Sequence, residues 1–145
     1  MADCLIHLYS DGACRGNPGN GGAGAVLTDE TGVIVASLKK YLGICTNNVA
    51  EYQALILGLE EALKRKTSCL CIHLDSELLV RQIQGTYRVK QAHLKPLIFR
   101  IREMLSNLDG YKVEHVYREK NKLADQLANE AIDEYESGSG DRRSV

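Results

Sequence analysis

Four carboxylates stand where a carboxylate can act on something other than water. Asp11 closes the apolar segment Cys4 to Ser10 and precedes Gly12. Asp75 closes a second apolar segment, Cys69 to Leu74. Glu51 and Asp125 each fall in the first turns of a helical pattern. Each has a plainer reading. Asp11-Gly12 is a common turn pair. Asp75 suits a helix N-cap, and Glu51 three residues after Asn48 matches a capping box. Asp125 suits the positive end of a helix dipole. Their joint placement is more informative. Asp11 and Asp75 both terminate strands able to lie parallel, and ligands collect at that edge of an open α/β sheet. Two carboxylates aimed at one spot repel unless a cation lies between them. An oxygen-only donor set, with no paired histidines at metal spacing, favours Mg2+ or Mn2+ over zinc.

The elements that must position these acids read as βββαβααβα. Strands are expected over Cys4–Ser10, Gly24–Leu27 and Val33–Leu42, with glycine-rich Gly12–Gly22 as a turn and Asp29-Glu30-Thr31-Gly32 as another. A helix is expected over Asn47–Arg65, where Ala50, Ala54, Leu55, Leu59 and Ala62 recur at helical spacing. A buried strand Cys69–Leu74, a short helix Ser76–Gln84 and a helix Leu94–Leu108 entered through Pro96 follow. The last strand, Tyr111–Tyr117, leads to a final helix, Lys122–Glu136. Three hairpin strands followed by helix-linked ones require a mixed five-stranded sheet flanked by helices, an α/β fold. One domain is expected over residues 1–136, with a disordered polar tail at 137–145.

Composition narrows the partners. The 145 residues carry a formal net charge of -1, so any polyanion binding rests on local basic clusters or on cations held by acids. No apolar run spans a bilayer, and Met1–Leu5 lacks the regions of a signal peptide. The expected location is the cytoplasm, with no membrane partner. Five cysteines, none in a C-x-x-C pair, read as small buried thiols rather than disulfide or zinc partners.

Four segments together resemble type 1 ribonuclease H. They are Asp11-Gly12-Ala13-Cys14-Arg15-Gly16-Asn17-Pro18-Gly19, Thr46-Asn47-Asn48-Val49-Ala50-Glu51, Leu74-Asp75-Ser76 and Asn121-Lys122-Leu123-Ala124-Asp125. The resemblance runs from about Leu5 to Ile132. It implies a catalytic tetrad, Asp11, Glu51, Asp75 and Asp125, holding two Mg2+ (or Mn2+) ions. Such a pair clamps the attacking and leaving oxygens of an in-line displacement at phosphorus. The implied reaction is endonucleolytic hydrolysis of the RNA strand of an RNA–DNA hybrid, leaving 5′-phosphate and 3′-hydroxyl ends. A nuclease selective for RNA must sense the 2′-hydroxyl. The resemblance assigns substrate contacts to Gly12, Cys14, Arg15, Gly16, Asn17, Thr46, Asn47, Asn48 and Ser76.

Three departures from the family pattern matter. The loop before the last helix, Tyr117-Arg118-Glu119-Lys120-Asn121, lacks the histidine of many bacterial members. Arg118, Glu119 and Asn121 are the auxiliary candidates there, while His115 reads as structural or surface. The stretch Gly85–His93 is short and the chain has no tryptophan, so the basic handle of better-known bacterial relatives is missing. Arg88, Lys90 and Lys95 are a thin replacement, as in the compact archaeal-type branch. Glu77 stands where relatives often carry glutamine. The rival readings are an inactive nucleic-acid-binding domain of the same fold, a nuclease also acting on double-stranded RNA, and a proofreading exonuclease or strand-transfer enzyme of the wider superfamily. Gly12 and Ala13 after Asp11 argue against the exonuclease, which usually pairs two acids one residue apart. A monomer is expected.

Overall fold

A computed structural model describes residues 5–143. Its elements run β1 (Ile6–Gly16), β2 (Gly19–Asp29), β3 (Ile34–Cys45), α1 (Asn47–Lys64), β4 (Cys69–Leu74), α2 (Glu77–Gln84), α3 (Lys95–Leu105), β5 (Gly110–His115) and α4 (Lys122–Arg143). Short 3-10 turns at Ala92–Leu94 and Arg118–Lys120 precede α3 and α4. The five-stranded sheet has order β3-β2-β1-β4-β5. β1, β2 and β3 pair antiparallel, and β4 pairs parallel to both β1 and β5. The expected mixed sheet and element order are both present.

The first hairpin is longer than its glycines suggested. Gly12 to Gly22 was expected as a turn, but β1 runs to Gly16 and β2 starts at Gly19. The glycines are there for close helix approach rather than for a loop. A Cβ on Gly22 would lie 2.2 Å from the Ala128 carbonyl oxygen, and one on Gly24 would lie 2.1 Å from that of Ala124. Small residues on β2 thus let the α4 backbone rest directly on the sheet. Gly12, on the opposite face, does the same for α1: its Cβ would lie 2.3 Å from the Ala50 carbonyl carbon. α1 and α4 therefore sandwich the sheet.

Apolar residues from both layers close the core. Leu8, Leu27, Leu70 and Ile72 from the strands meet Leu55 and Leu59 of α1 and Ile101 of α3, all fully buried. Burying such side chains contributes roughly 1.5–3 kcal/mol each, which anchors the strands whose ends carry the acids.

Several boundaries move. α1 is capped by Thr46, whose Oγ1 accepts the Val49 N–H at 3.3 Å, not by Asn48. Ser76, not Asp75, caps α2 by accepting the Leu79 N–H at 3.2 Å. Both corrections release a carboxylate, Glu51 in one case and Asp75 in the other, from a helix end. The final helix continues past Glu136 to Arg143, because an established helix adds a hydrogen bond with each further residue. The disordered tail expected at 137–145 therefore overlaps α4, and its last two residues, like the expected strand start at Cys4, lie outside the described residues. Cys71 is a buried thiol, and Cys14 and Cys45 are half-buried thiols. Cys69 is disulfide-bonded, a correction that cysteine spacing alone could not supply. No helix among the described residues is long and apolar enough to cross a membrane.

Candidate active site

Asp11 lies one residue beyond the last β1–β4 pair, Ser10↔Leu74, and Asp75 follows Leu74 directly. The two aspartates thus leave neighbouring parallel strands side by side. Asp11 is in the body of β1 rather than at its end, because β2 goes on pairing with it after β4 has stopped. α1 crosses the same corner and delivers Glu51. One carboxylate oxygen from each of Asp11, Glu51 and Asp75 lies within 4.8 Å of the others. The fourth acid, Asp125 on the first turns of α4, stands outside that three-acid group but near enough to raise the Asp11 carboxyl further.

Each acid is held by a specific partner. Glu51 Oε1 accepts the Gly12 N–H at 3.0 Å, so the capping-box acid serves the strand instead of its own helix. Asn121 is 1% exposed, and its Nδ2 donates to the Ser10 carbonyl at 2.9 Å and to Asp75 Oδ2 at 3.0 Å. One amide therefore ties β1 to the β4 acid. Asn121 Oδ1 and Ser10 Oγ are buried with no protein partner. Asn129, which local sequence did not single out, donates from Nδ2 to the Asp125 carbonyl at 3.0 Å and to its Oδ1 at 3.3 Å. Its position four residues after Asp125 was the available signal, since a short amide reaches back one helical turn.

The electrostatics record the crowding. Burial first, then repulsion from Glu51 and Asp75, pushes the Asp11 carboxyl far above the ordinary carboxylate range. Burial and the charge of Asp75 likewise raise Glu51, with the Gly12 N–H and the Arg118 guanidinium pulling the other way. Acids crowded around a buried Asp11 cannot all be ionised without compensating positive charge. The donor atoms are all carboxylate oxygens, which fits a hard divalent cation. The residues present therefore fit divalent metal.

The other expected site residues divide into two groups. Around the hairpin and the α1 entry, Asn17 Oδ1 accepts the Asn47 N–H at 3.1 Å, bringing Asn17 against the Thr46-Asn47-Asn48 entry of α1. Gly16 takes φ +98°, a left-handed conformation that glycine adopts readily. Asn48 also borders a cavity of about 440 Å³ with Gln82, Thr86, Tyr87 and Arg88. The second group is engaged elsewhere. Ser76 caps α2. The Cys14 thiol donates to the Cys45 carbonyl at 2.9 Å. Arg15 forms ion pairs with Asp133 at 2.6 Å and Glu136 at 2.9 Å on α4. Arg118 and Glu119 sit on the exposed turn before α4, and Glu77 pairs with Arg81 at 3.2 Å. His115 is exposed and stacks edge-on against Tyr117.

This arrangement agrees with known proteins. A family described as "Reverse transcriptase-like" matches residues 9–131. The chain is 41% identical to "Ribonuclease HI" of Halobacterium salinarum over 89% of its own length and 65% of that protein. It is 36% identical to "Ribonuclease H" of Chromohalobacter salexigens, over 91% of this chain and 87% of that one. It thus spans just under two thirds of the halobacterial protein, and 35% of a "Bifunctional protein" of Mycobacterium tuberculosis. The crystal structure of the halobacterial RNase H1 superposes with a TM-score of 0.87, covering 98% of that chain. A crystal structure of LC11-RNase H1 "in complex with RNA/DNA hybrid" is 43% identical over 90% of this chain and 98% of that one, with a TM-score of 0.85.

Proposed function

The chain belongs to the type 1 ribonuclease H family, and we propose that it cuts the RNA strand of RNA–DNA hybrids endonucleolytically at the four-carboxylate corner. The observation that carries this reading is the convergence of Asp11, Glu51 and Asp75 within 4.8 Å, with Asp125 adding its charge beside Asp11.

Two Mg2+ or Mn2+ ions bound there supply an activated water and charge neutralisation at the leaving 3′ oxygen. The chain's own residues do the rest. Asp11, buried between Glu51 and Asp75, would hold metal together with them. The Gly12 N–H fixes the Glu51 carboxylate, and the Asn121 amide fixes that of Asp75. Asp125 enters from a separate helix, where the Asn129 amide holds it. Arg118, close enough to draw the Glu51 carboxyl down, places positive charge beside the scissile phosphate. The glycine-containing hairpin and the Thr46-Asn47-Asn48 entry of α1 offer backbone N–H and amide groups to the minor groove, where 2′-hydroxyls are displayed. One chain supplies all four acids, so a monomer suffices.

The test is incubation of end-labelled RNA–DNA hybrid, double-stranded RNA and single-stranded RNA with Mg2+, with Mn2+ and with chelator. The expected result is metal-dependent cutting of the hybrid's RNA strand to 5′-phosphate and 3′-hydroxyl ends. Binding of hybrid with no cleavage under either metal would instead favour an inactive binding domain.

A further inference from the structure

A second donor cluster lies lower on the same two strands. His7 of β1 and Cys71 of β4 are register partners, and His73 follows on the next pleat of β4. One nitrogen from each histidine and the Cys71 sulfur lie within 4.8 Å of one another. Cys71 and His73 are buried, and His7 is half-buried. His7 Nδ1 faces His73 Nε2 at 2.9 Å. The nitrogens of two imidazoles on one zinc ion are roughly 3.3 Å apart, given zinc–nitrogen bonds of about 2.0–2.1 Å in a tetrahedron. A separation of a few tenths of an ångström would admit the ion. The far nitrogen of His73, Nδ1, is buried and forms no hydrogen bond, with Glu114 Oε1 on β5 the carboxylate 3.2 Å away. A carboxylate behind the non-ligating nitrogen is the usual support for a metal-bound histidine. Tyr9 stacks on the His73 ring at a centroid distance of 4.5 Å and fixes its plane.

We propose that His7, Cys71 and His73 form a second metal site for a borderline-soft dication of the zinc class, with Glu114 orienting His73. Two imidazoles and a thiol select zinc over magnesium, as the carboxylate corner selects the reverse. Binding displaces the Cys71 thiol proton to solvent and joins sulfur to metal. The fourth position is left to water. The ion would tie β1 to β4 four residues before Asp11 and two before Asp75.

Co2+ is the probe, because a thiolate ligand gives a near-ultraviolet charge-transfer band that carboxylates cannot. The wild-type protein is expected to develop that band with one equivalent of Co2+ and to lose it when Zn2+ is added. Cys71→Ser and His7→Gln should abolish it, Cys14→Ser should retain it, and Glu114→Gln should weaken binding about 10–100-fold. Zn2+ at 100 times its dissociation constant should raise the melting temperature by on the order of 5 °C in wild type and not in His7→Gln. Mg2+-dependent hybrid cleavage by His7→Gln, expected to persist, reports that this variant folds. Absence of the band in wild type, its survival in Cys71→Ser or His7→Gln, or its loss in Cys14→Ser would overturn the proposal.

Discussion

Asp11 is buried among other acids, and its titration makes the cost of that crowding measurable. Burial and its acidic neighbours raise its pKa and that of Glu51. Between the ordinary carboxylate value near 4 and the raised folded value, the folded state binds more protons than the unfolded chain. Stability of the metal-free protein must therefore fall as pH rises through that window. The melting temperature without metal should drop between pH 5 and pH 8, and excess Mg2+ should restore it. Asp11→Asn removes the charge, so it should flatten the drop and stabilise the metal-free protein at pH 8 by roughly 2 kcal/mol. Hybrid cleavage by the same variant should fall by a factor of at least about 1,000. A thermal scan across pH, with and without Mg2+, checks the first part, and an end-label assay the second. Asn121 tests how one amide positions another residue. Asn121→Ala removes its bonds to the Ser10 carbonyl and to Asp75. The expected cost is about 1–3 kcal/mol in a denaturant titration and a 10–100-fold loss of metal affinity.

At the scale of elements, contact between β1 and α1 decides whether the corner exists. Gly12→Ala would press a methyl into the Ala50 backbone and displace the N–H that holds Glu51. It should destabilise by about 1–3 kcal/mol and reduce turnover more than hybrid affinity, which a kcat and KM comparison resolves. Much of this layer was legible in the sequence. The apolar stripe of α1 and the runs Cys69–Leu74 and Leu94–Leu108 announced their elements. What stayed hidden depended on non-local contact. The glycines of β2 read locally as a turn, and only α4 lying across them shows why small residues continue a strand there. The Asn48–Glu51 spacing satisfies a capping box, yet Thr46 wins the cap and the strand takes Glu51. His7 and His73 stand 66 residues apart in the chain and could be joined only by knowing the β1–β4 register. The four acids were legible because Asp75 directly follows a strand, Glu51 and Asp125 fall in the first turns of helices, and Asp11 follows the last residue of β1 that pairs with β4. Arg15 shows the reverse, since nothing in its local sequence revealed two α4 carboxylates waiting for it.

For the whole molecule, a net charge of -1 leaves little long-range attraction for a polyanion. Arg88, Lys90, Lys95 and Arg102 line one cavity of about 680 Å³, beside the largely exposed ring of Phe99. This is the basic surface that remains where relatives carry a handle. Replacing Arg88, Lys90 and Lys95 with Gln should lower the slope of log affinity against log salt by about 1–3, roughly one for each phosphate no longer neutralised. A fluorescence-anisotropy salt titration with a non-cleavable hybrid reads it directly. The central physical claim is that the acids share their corner by sharing dications. Calorimetric titration of Mg2+ at pH 8, in two buffers of different ionisation enthalpy, tests it most directly. Mg2+ uptake is expected to release protons from the carboxylate corner, and to be lost in Asp11→Asn. Mg2+ uptake with no proton release, or uptake undiminished in Asp11→Asn, would contradict it.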